Sequence, residues 1–427
     1  MSAVHKLQRF LKEETQENIE NNSTFVYFLF AKSLNCFLRF YDFRKAHKTT
    51  SKNEKRPTMT KLKDRAGCEK SIVEDPHTGR EIWRMTNYNA HDIHSYYDQW
   101  AWSPDGSKIA FTSIEPDDVV YEKIKPASGC LFIMDADGSN LQCVASNADC
   151  SLHTGCFPIW ADDETIIYHG SGHTCIVNIK SGHIQEIEGV WGRALSPCGS
   201  KLACQDVNKQ GAVVLVNLQD FSQKEIVSSE DLFEIMLDTF NRAEKMPDFD
   251  PAYTAEDVSV ANIKYQPNGS HLMLRFGFPG EYMKSIFVFK EDGTRLKRIN
   301  LITPHFNHHS WHPDGEHILY NDLNAIGKRH LYYLADKEGL HREPLYKEPL
   351  GGHPILNPAG TEIVDFAPDG YIIHLDVKSG EVTKLASYTA NTHQGLHAHP
   401  CWSRDGSKVI YHSDHTGTSQ IYVIPLY

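Results

Sequence analysis

The chain lacks a surplus of positive charge, a paired-cysteine motif and an apolar run long enough to cross a bilayer. Each absence removes a class of function. Acidic side chains outnumber basic ones by 55 to 43, a net charge of −12 with histidine neutral. That balance argues against a dedicated binder of nucleic acid or of anionic membranes. An acidic protein that holds an acidic ligand needs a local cation, such as a metal ion. The ten cysteines include no C-x-x-C pair, and the closest, Cys150 with Cys156 and Cys198 with Cys204, are six residues apart. They read as buried thiols of a reducing compartment. The most apolar run, Thr24 to Ala31, falls far short of the roughly 20 residues of a spanning helix. Its upstream flank, Glu13 to Asn22, is acidic, the wrong sign for a secretory signal, so the expected compartment is the cytoplasm. No G-x-S-x-G elbow is present, which speaks against a hydrolase of the α/β type.

What the chain does have is a repeat. Residues 1–70 stand apart, with Leu7, Phe10 and Leu11 at helical spacing and a basic, polar stretch from Lys45 to Lys63. They read as a helical or disordered extension and linker. From 71 to 427 one pattern recurs: strand, tight turn, strand. The turns are Trp102-Ser-Pro-Asp-Gly, Trp160-Ala-Asp-Asp-Glu, Leu195-Ser-Pro-Cys-Gly, Tyr265-Gln-Pro-Asn-Gly, Trp311-His-Pro-Asp-Gly, Leu356-Asn-Pro-Ala-Gly and Trp402-Ser-Arg-Asp-Gly. Most put Pro where φ must be fixed and Gly where φ must be positive. Gly269, Gly315, Gly360 and Gly406 are spaced by 46, 45 and 46 residues, the period of a four-stranded propeller blade.

Further strands fill each unit: Gly129 to Met134, Thr174 to Ile179, Ser285 to Phe289 and Gly370 to Leu375, each just ahead of a hairpin turn. The last unit is one strand short, and Glu81 to Thr86 is a spare strand at the other end. The expected fold class is therefore all-β, a seven-bladed β-propeller whose N- and C-terminal strands pair to close the ring and remove an open edge. Two insertions interrupt it: an amphipathic helix over Ser228 to Asp248 and a loop over Ile114 to Pro126.

The 24 histidines are more than usual, and a group of them falls just upstream of the turns, where inner strands of a propeller would face the central channel. The seventh unit carries Gln394, His397 and His399, the sixth His353, and the fifth His308. His397 and His399 alternate, so on a strand they share a face. With Gln394 and a third imidazole from the neighbouring blade, His353, they make a plausible shell for a divalent transition metal. The alternative is a set of hydrogen-bonded histidines in a wet channel. His308, one blade further on, is the best candidate base. His94, Gln99 and His153 read as substrate contacts in the same channel.

These residues carry a resemblance. From Asp75-Pro-His-Thr-Gly-Arg-Glu-Ile-Trp to the C-terminus the chain resembles the oligogalacturonate lyases, seven-bladed polysaccharide lyases. The most specific match is Gln394-Gly-Leu-His397-Ala-His399-Pro, where the family supplies three metal ligands. His353 matches the fourth ligand, and His308, three residues before Trp311, matches the catalytic base. The resemblance implies a bound Mn²⁺, or another divalent transition metal, and a small acidic oligosaccharide as substrate. It also implies β-elimination to an unsaturated uronate. The match breaks at one point: Ser285, with Lys284 beside it, stands where the family has a catalytic-site arginine. Lys284 and Arg275 are the cations that could stabilise charge instead. The rival reading is a non-catalytic propeller that binds a glycan or a protein.

Overall fold

The computed structural model describes residues 62–116, 127–242, 252–278, 284–299, 306–324, 329–346, 348, 350–390 and 395–426. Residues 1–61, most of the expected loop over Ile114 to Pro126, and Gln394 lie outside the described residues. The fold is all-β, and every strand pair in it is antiparallel. Four sheets hold four sequential strands each, beginning at Val190–Leu195, Ser259–Tyr265, Phe306–Trp311 and Ile355–Leu356. The strands from His91 to Ile187 form a larger sheet whose two halves meet at a single register pair, Ala148 opposite Gly170. The sixth sheet joins the chain's ends: Glu81–Arg84 pairs with Gln420–Pro425, Trp83 opposite Val423 and Arg84 opposite Tyr422. The expected pairing of terminal strands is made.

The repeated turn explains why these segments form hairpins. In the first copy the Ser103 carbonyl accepts from the Gly106 amide at 2.9 Å, with Gly106 at φ 74°; in the seventh, Ser403 and Gly406 repeat this at 2.9 Å and φ 72°. Each serine hydroxyl also donates to the following aspartate at 2.6 Å. An L-residue with a side chain would be strained at either glycine. The second copy has no glycine and closes instead through the Asp162 carboxylate, which accepts from the Glu164 amide at 2.8 Å.

Neighbouring units are stitched by the turn tryptophans, a role that the repeat pattern alone does not reveal. The indole N–H of Trp160 donates to the Ala101 carbonyl (2.9 Å), that of Trp311 to Lys264 (3.3 Å), and that of Trp402 to Ile355 (3.1 Å). Each acceptor is the residue just before the preceding unit's turn. Arg404 of the last unit reaches the Trp102 carbonyl of the first at 3.4 Å. A buried indole that satisfies its one donor in this way packs and orients at the same time.

The expected amphipathic helix spans Ser229–Arg242 among the described residues, and residues 243–248 of its expected range lie outside them. Ser228 and Asp231 exchange backbone-to-side-chain hydrogen bonds at its start, both at 3.1 Å, a capping box. Leu232 and Met236 bury against Val258 and Phe278, while Leu237 faces solvent.

Packing begins before residue 71. Leu62 is buried in the core, and Arg65 pairs with the fully buried Asp92 at 2.9 Å, with Glu69 and Ser113 completing its shell. Replacing Arg65 by Ala strands the Asp92 charge in the interior. We expect a loss of about 3–5 kcal/mol in urea denaturation, much of it recovered by pairing the change with Asp92→Asn.

Candidate active site

The inner strands that lead into the turns are not regular. Ile159–Trp160, Ile355–Leu356 and Cys401–Trp402 are two residues long, so the polar residues upstream of them lie in loops. The three longer inner strands each carry a register shift, between Gly192 and Ala194, between Ala261 and Lys264, and between Phe306 and His309. A bulge breaks the two-residue alternation and re-aims the side chain within it. Arg193, Asn262 and His308 all sit in these bulges, and all three line one cavity of about 280 Å³. Short loops and bulges together turn a bundle of inner strands into a polar chamber.

His353, His397 and His153 also line that chamber, and His399 lies directly behind them, fully buried. Nitrogens of His153, His397 and His399 lie within 4.8 Å of one another, close to the roughly 4 Å spanned by two metal–nitrogen bonds. His397 Nδ1 is 3.4 Å from His353 Nε2, and the His353 and His399 ring centres are 4.9 Å apart. The expected pair and its partner from the next unit therefore converge. They do so differently from the expectation that placed His397 and His399 on a strand. Neither residue is in a strand; His399 turns back through a left-handed backbone, φ 43°. That conformation is uncommon outside glycine, asparagine, aspartate and histidine, and such strain gathers at functional sites.

His399 is the most telling member. Both ring nitrogens are sealed from solvent and neither has a hydrogen-bond partner. Burial, then the neighbouring His153, His353 and His397, hold it neutral, far below the usual imidazole range. Its neighbours are oriented from outside. The Gly395 carbonyl, 3.1 Å from His153 Nδ1, can only accept, so Nδ1 carries the proton and Nε2 keeps its lone pair. The His353 amide donates to both oxygens of buried Asp365, at 2.9 and 3.0 Å, and Tyr332 donates to the same carboxylate at 2.6 Å. Burial lifts the Asp365 carboxyl to about 7 against the pull of these donors.

His308 stands beside His353, ring centres 3.6 Å apart, and its Nδ1 is buried without a partner. Its amide donates to Asn321 Oδ1 at 2.6 Å. Burial first, then the Arg275 charge, holds the imidazole neutral. Of the other expected contacts, Gln99 and Arg275 line the chamber and Lys284 does not. Lys284 pairs in register with Gly277, two residues along from Arg275. His153 lines the chamber, as expected of a substrate contact, and also joins the histidine cluster. His94 lies behind the cluster, fully buried, its Nδ1 3.0 Å from that of His412, with burial lowering it to about 3.

The wall also holds residues that the sequence did not single out. Asp98 lines it and pairs with buried Lys264, which also meets the Tyr97 hydroxyl at 3.1 Å and the His309 carbonyl. Asn262 has its side-chain nitrogen sealed and unpartnered. Arg193 and Arg275 have no carboxylate partner among the described residues, so the wall carries uncompensated positive charge in an acidic protein.

Known structures share this fold. An oligogalacturonate lyase in complex with manganese superposes with a TM-score of 0.66 at 16% identity, covering 84% of this chain and 96% of that one. An oligogalacturonate lyase from Vibrio parahaemolyticus gives 0.65 at 16% identity, covering 85% and 99%. The chain has the fold of the oligogalacturonate lyases. The β-propeller domain of a Myceliophthora thermophila Cps50 (Swd1) protein follows at 0.52 and 10% identity, covering 83% and 99%. No protein-family profile matches the sequence, and no curated protein matches it. Ser285, where the lyase resemblance breaks, is buried and accepts from Arg298 Nε at 2.9 Å.

Proposed function

We propose that this protein is a metal-dependent lyase that cleaves short oligouronates by β-elimination on a seven-bladed propeller. The observation that carries the proposal is the convergence of four imidazoles, a fifth neutral imidazole and two uncompensated guanidinium groups on one chamber of a lyase-like fold. The seven turns, the tryptophan stitching and the contact from Arg404 back to Trp102 support seven blades. The chamber, at about 280 Å³, sits near the lower end of small-ligand sites, which suits one or two sugar units rather than a polymer.

The residues fit a divalent metal. His399 offers two bare, buried nitrogens with nothing else to bind, and neutral imidazoles suit Mn, Fe, Co, Ni or Zn. His353, His397 and His399 would hold the ion, with Gln394 and His153 as the remaining donors. When bound, the cation supplies charge that stabilises the negative charge developing on the substrate carboxylate. His308 takes the C5 proton. The C–H electron pair becomes the C4–C5 double bond, the C4–O bond breaks, and the departing oxygen takes a proton from water. Neutral imidazole is the form required for that step, and burial keeps His308 in it. Arg275 faces the same part of the wall and can stabilise the enolate-like charge.

The described cysteines are all unpaired, which supports a reducing compartment such as the cytoplasm. Among the described residues no helix is long and apolar enough to cross a membrane.

The test is to load the folded protein with Mn²⁺, add oligogalacturonates and other oligouronates, and follow the ultraviolet absorbance of the unsaturated product. A steady rise is expected. No rise with any uronate would remove the lyase reading and leave the glycan- or protein-binding propeller, which the substitution at Ser285 favours.

A further inference from the structure

A second group of metal-type donors lies outside the chamber, on the outer strands of the second unit. His173–Asn178 pairs with Ile184–Ile187, and Cys175 stands directly opposite Glu186. His173 and Cys175 are two residues apart on one strand, so both point to the face that Glu186 shares. A nitrogen of His173, the sulfur of Cys175 and a carboxylate oxygen of Glu186 all lie within 4.8 Å of one another. That is close to the roughly 4.4 Å that a zinc–sulfur and a zinc–nitrogen bond span end to end. None of the three residues lines the chamber.

Each donor is left uncommitted. His173 Nε2 is sealed from solvent and lies 3.3 Å from Glu186 Oε2, yet makes no hydrogen bond. Glu186 is about half exposed and, among the described residues, pairs with no lysine or arginine. The Cys175 thiol, a weak donor, gives its proton to the Gly170 carbonyl at 3.4 Å. Asn147 Nδ2 points at the same sulfur from 3.9 Å, and Asn147 is itself held by the Tyr168 hydroxyl at 2.7 Å. An N–H aimed at sulfur is the kind of outer support that orients a thiolate ligand. Gly170 keeps the sulfur uncrowded, since a Cβ there would come within 3.2 Å of it.

We infer that His173, Cys175 and Glu186 form a second metal site, for zinc or a similarly thiophilic divalent ion, with water in the remaining position. The choice of metal follows from the donors. A sulfur ligand selects zinc over manganese, whereas the chamber offers imidazole nitrogen. Burial pushes the Cys175 thiol up to about 11, so the cation must bind thiolate strongly enough to displace its proton. The exposed side of Glu186 gives the water its place, as in three-ligand zinc sites. A bound ion ties the outermost strand of the unit, Ile184–Ile187, to its neighbour. The inference does not depend on the uronate reading of the chamber.

The experiment adds Co²⁺ to the full chain and follows the near-ultraviolet charge-transfer band from thiolate to cobalt. The nitrogen and oxygen donors of the chamber cannot produce this band, so it reports only a sulfur-containing site. We expect the band to appear, to be displaced by Zn²⁺ and to persist when Mn²⁺ is added instead. Cys175→Ser should abolish it and weaken zinc, measured by competition with a chromogenic chelator, by more than about 100-fold, beyond the cost of an outer partner of a ligand. If that buried change unfolds the protein, His173→Gln and Glu186→Gln decide, because both side chains reach the surface. Each should weaken zinc by about 10-fold or more. Cys198→Ser, which removes an exposed thiol, should change neither reading. His399→Asn should also leave the band intact, so the two metal sites stand or fall separately. Absence of the band overturns the site. So does a band that survives Cys175→Ser or vanishes with Cys198→Ser, or zinc binding unmoved by His173→Gln and Glu186→Gln.

Discussion

On the proposed metal site, replacing His399 by Asn is expected to abolish Mn²⁺ binding while leaving the fold in place. His399 is fully buried and makes no hydrogen bond through either ring nitrogen, so its loss forfeits no polar contact within the protein. Asn also tolerates the left-handed backbone found there, φ 43°, better than most residues. The metal-free variant should therefore unfold within about 2 kcal/mol of the metal-free parent. Metal affinity should fall by more than about 100-fold, beyond the effect of losing an outer partner of a ligand. The readouts are metal content after dialysis and thermal stability with added Mn²⁺. The parent should gain about 2.7 kcal/mol at a hundred times its dissociation constant, and the variant should gain nothing there. A variant that retains metal would make His399 a core histidine. A variant that unfolds before metal is considered would assign its burial to packing.

How far this site can be read from sequence depends on what kind of backbone carries each residue. The blades are legible because their turns repeat a local chemical demand, Pro then Asp or Asn then Gly, which acts within five residues. Histidines that gather upstream of those turns are legible for the same reason: the turn fixes their distance from the channel. Alternation is the wrong guide there. His397 and His399 share a site because His399 takes a left-handed bend, and His308 reaches the chamber from within a bulge. Arg193 escaped notice because it is a lone basic residue on a strand that reads as regular, and its bulge depends on contacts from Thr174 and His169, about twenty residues away. His153 reads as a wall residue, which it is, but its place in the histidine cluster shows only once the Gly395 carbonyl, more than two hundred positions distant, is seen beside its Nδ1. The Arg65–Asp92 pair is likewise a tertiary fact, invisible to any local pattern. Local chemistry can be read from the chain; convergence across blades cannot.

His308→Ala should abolish turnover and spare the metal. The imidazole adjoins the histidine cluster, 3.6 Å from the His353 ring, but His353 is held independently: its amide is fixed by Asp365, and its own ring packs on Phe366 at 4.8 Å. Removing His308 therefore leaves the donors of the cluster in place, and metal content after dialysis should match the parent. Loss of a positioned base costs about 10²- to 10⁴-fold in rate. The loss should fall on kcat, with KM little changed, because a group that moves a proton only in the transition state adds little to ground-state binding. A purely structural role predicts the opposite pattern: a lower melting temperature, a raised KM and loss of metal. The two can be separated further by adding free imidazole, which can enter the space that the side chain vacates. Recovery of unsaturated product with imidazole concentration, and none in the His399→Asn protein under the same conditions, is the expected result. Full activity in His308→Ala would remove the base from this assignment and turn attention to the remaining titratable groups of the wall, Tyr96 and the Asp98–Lys264 pair.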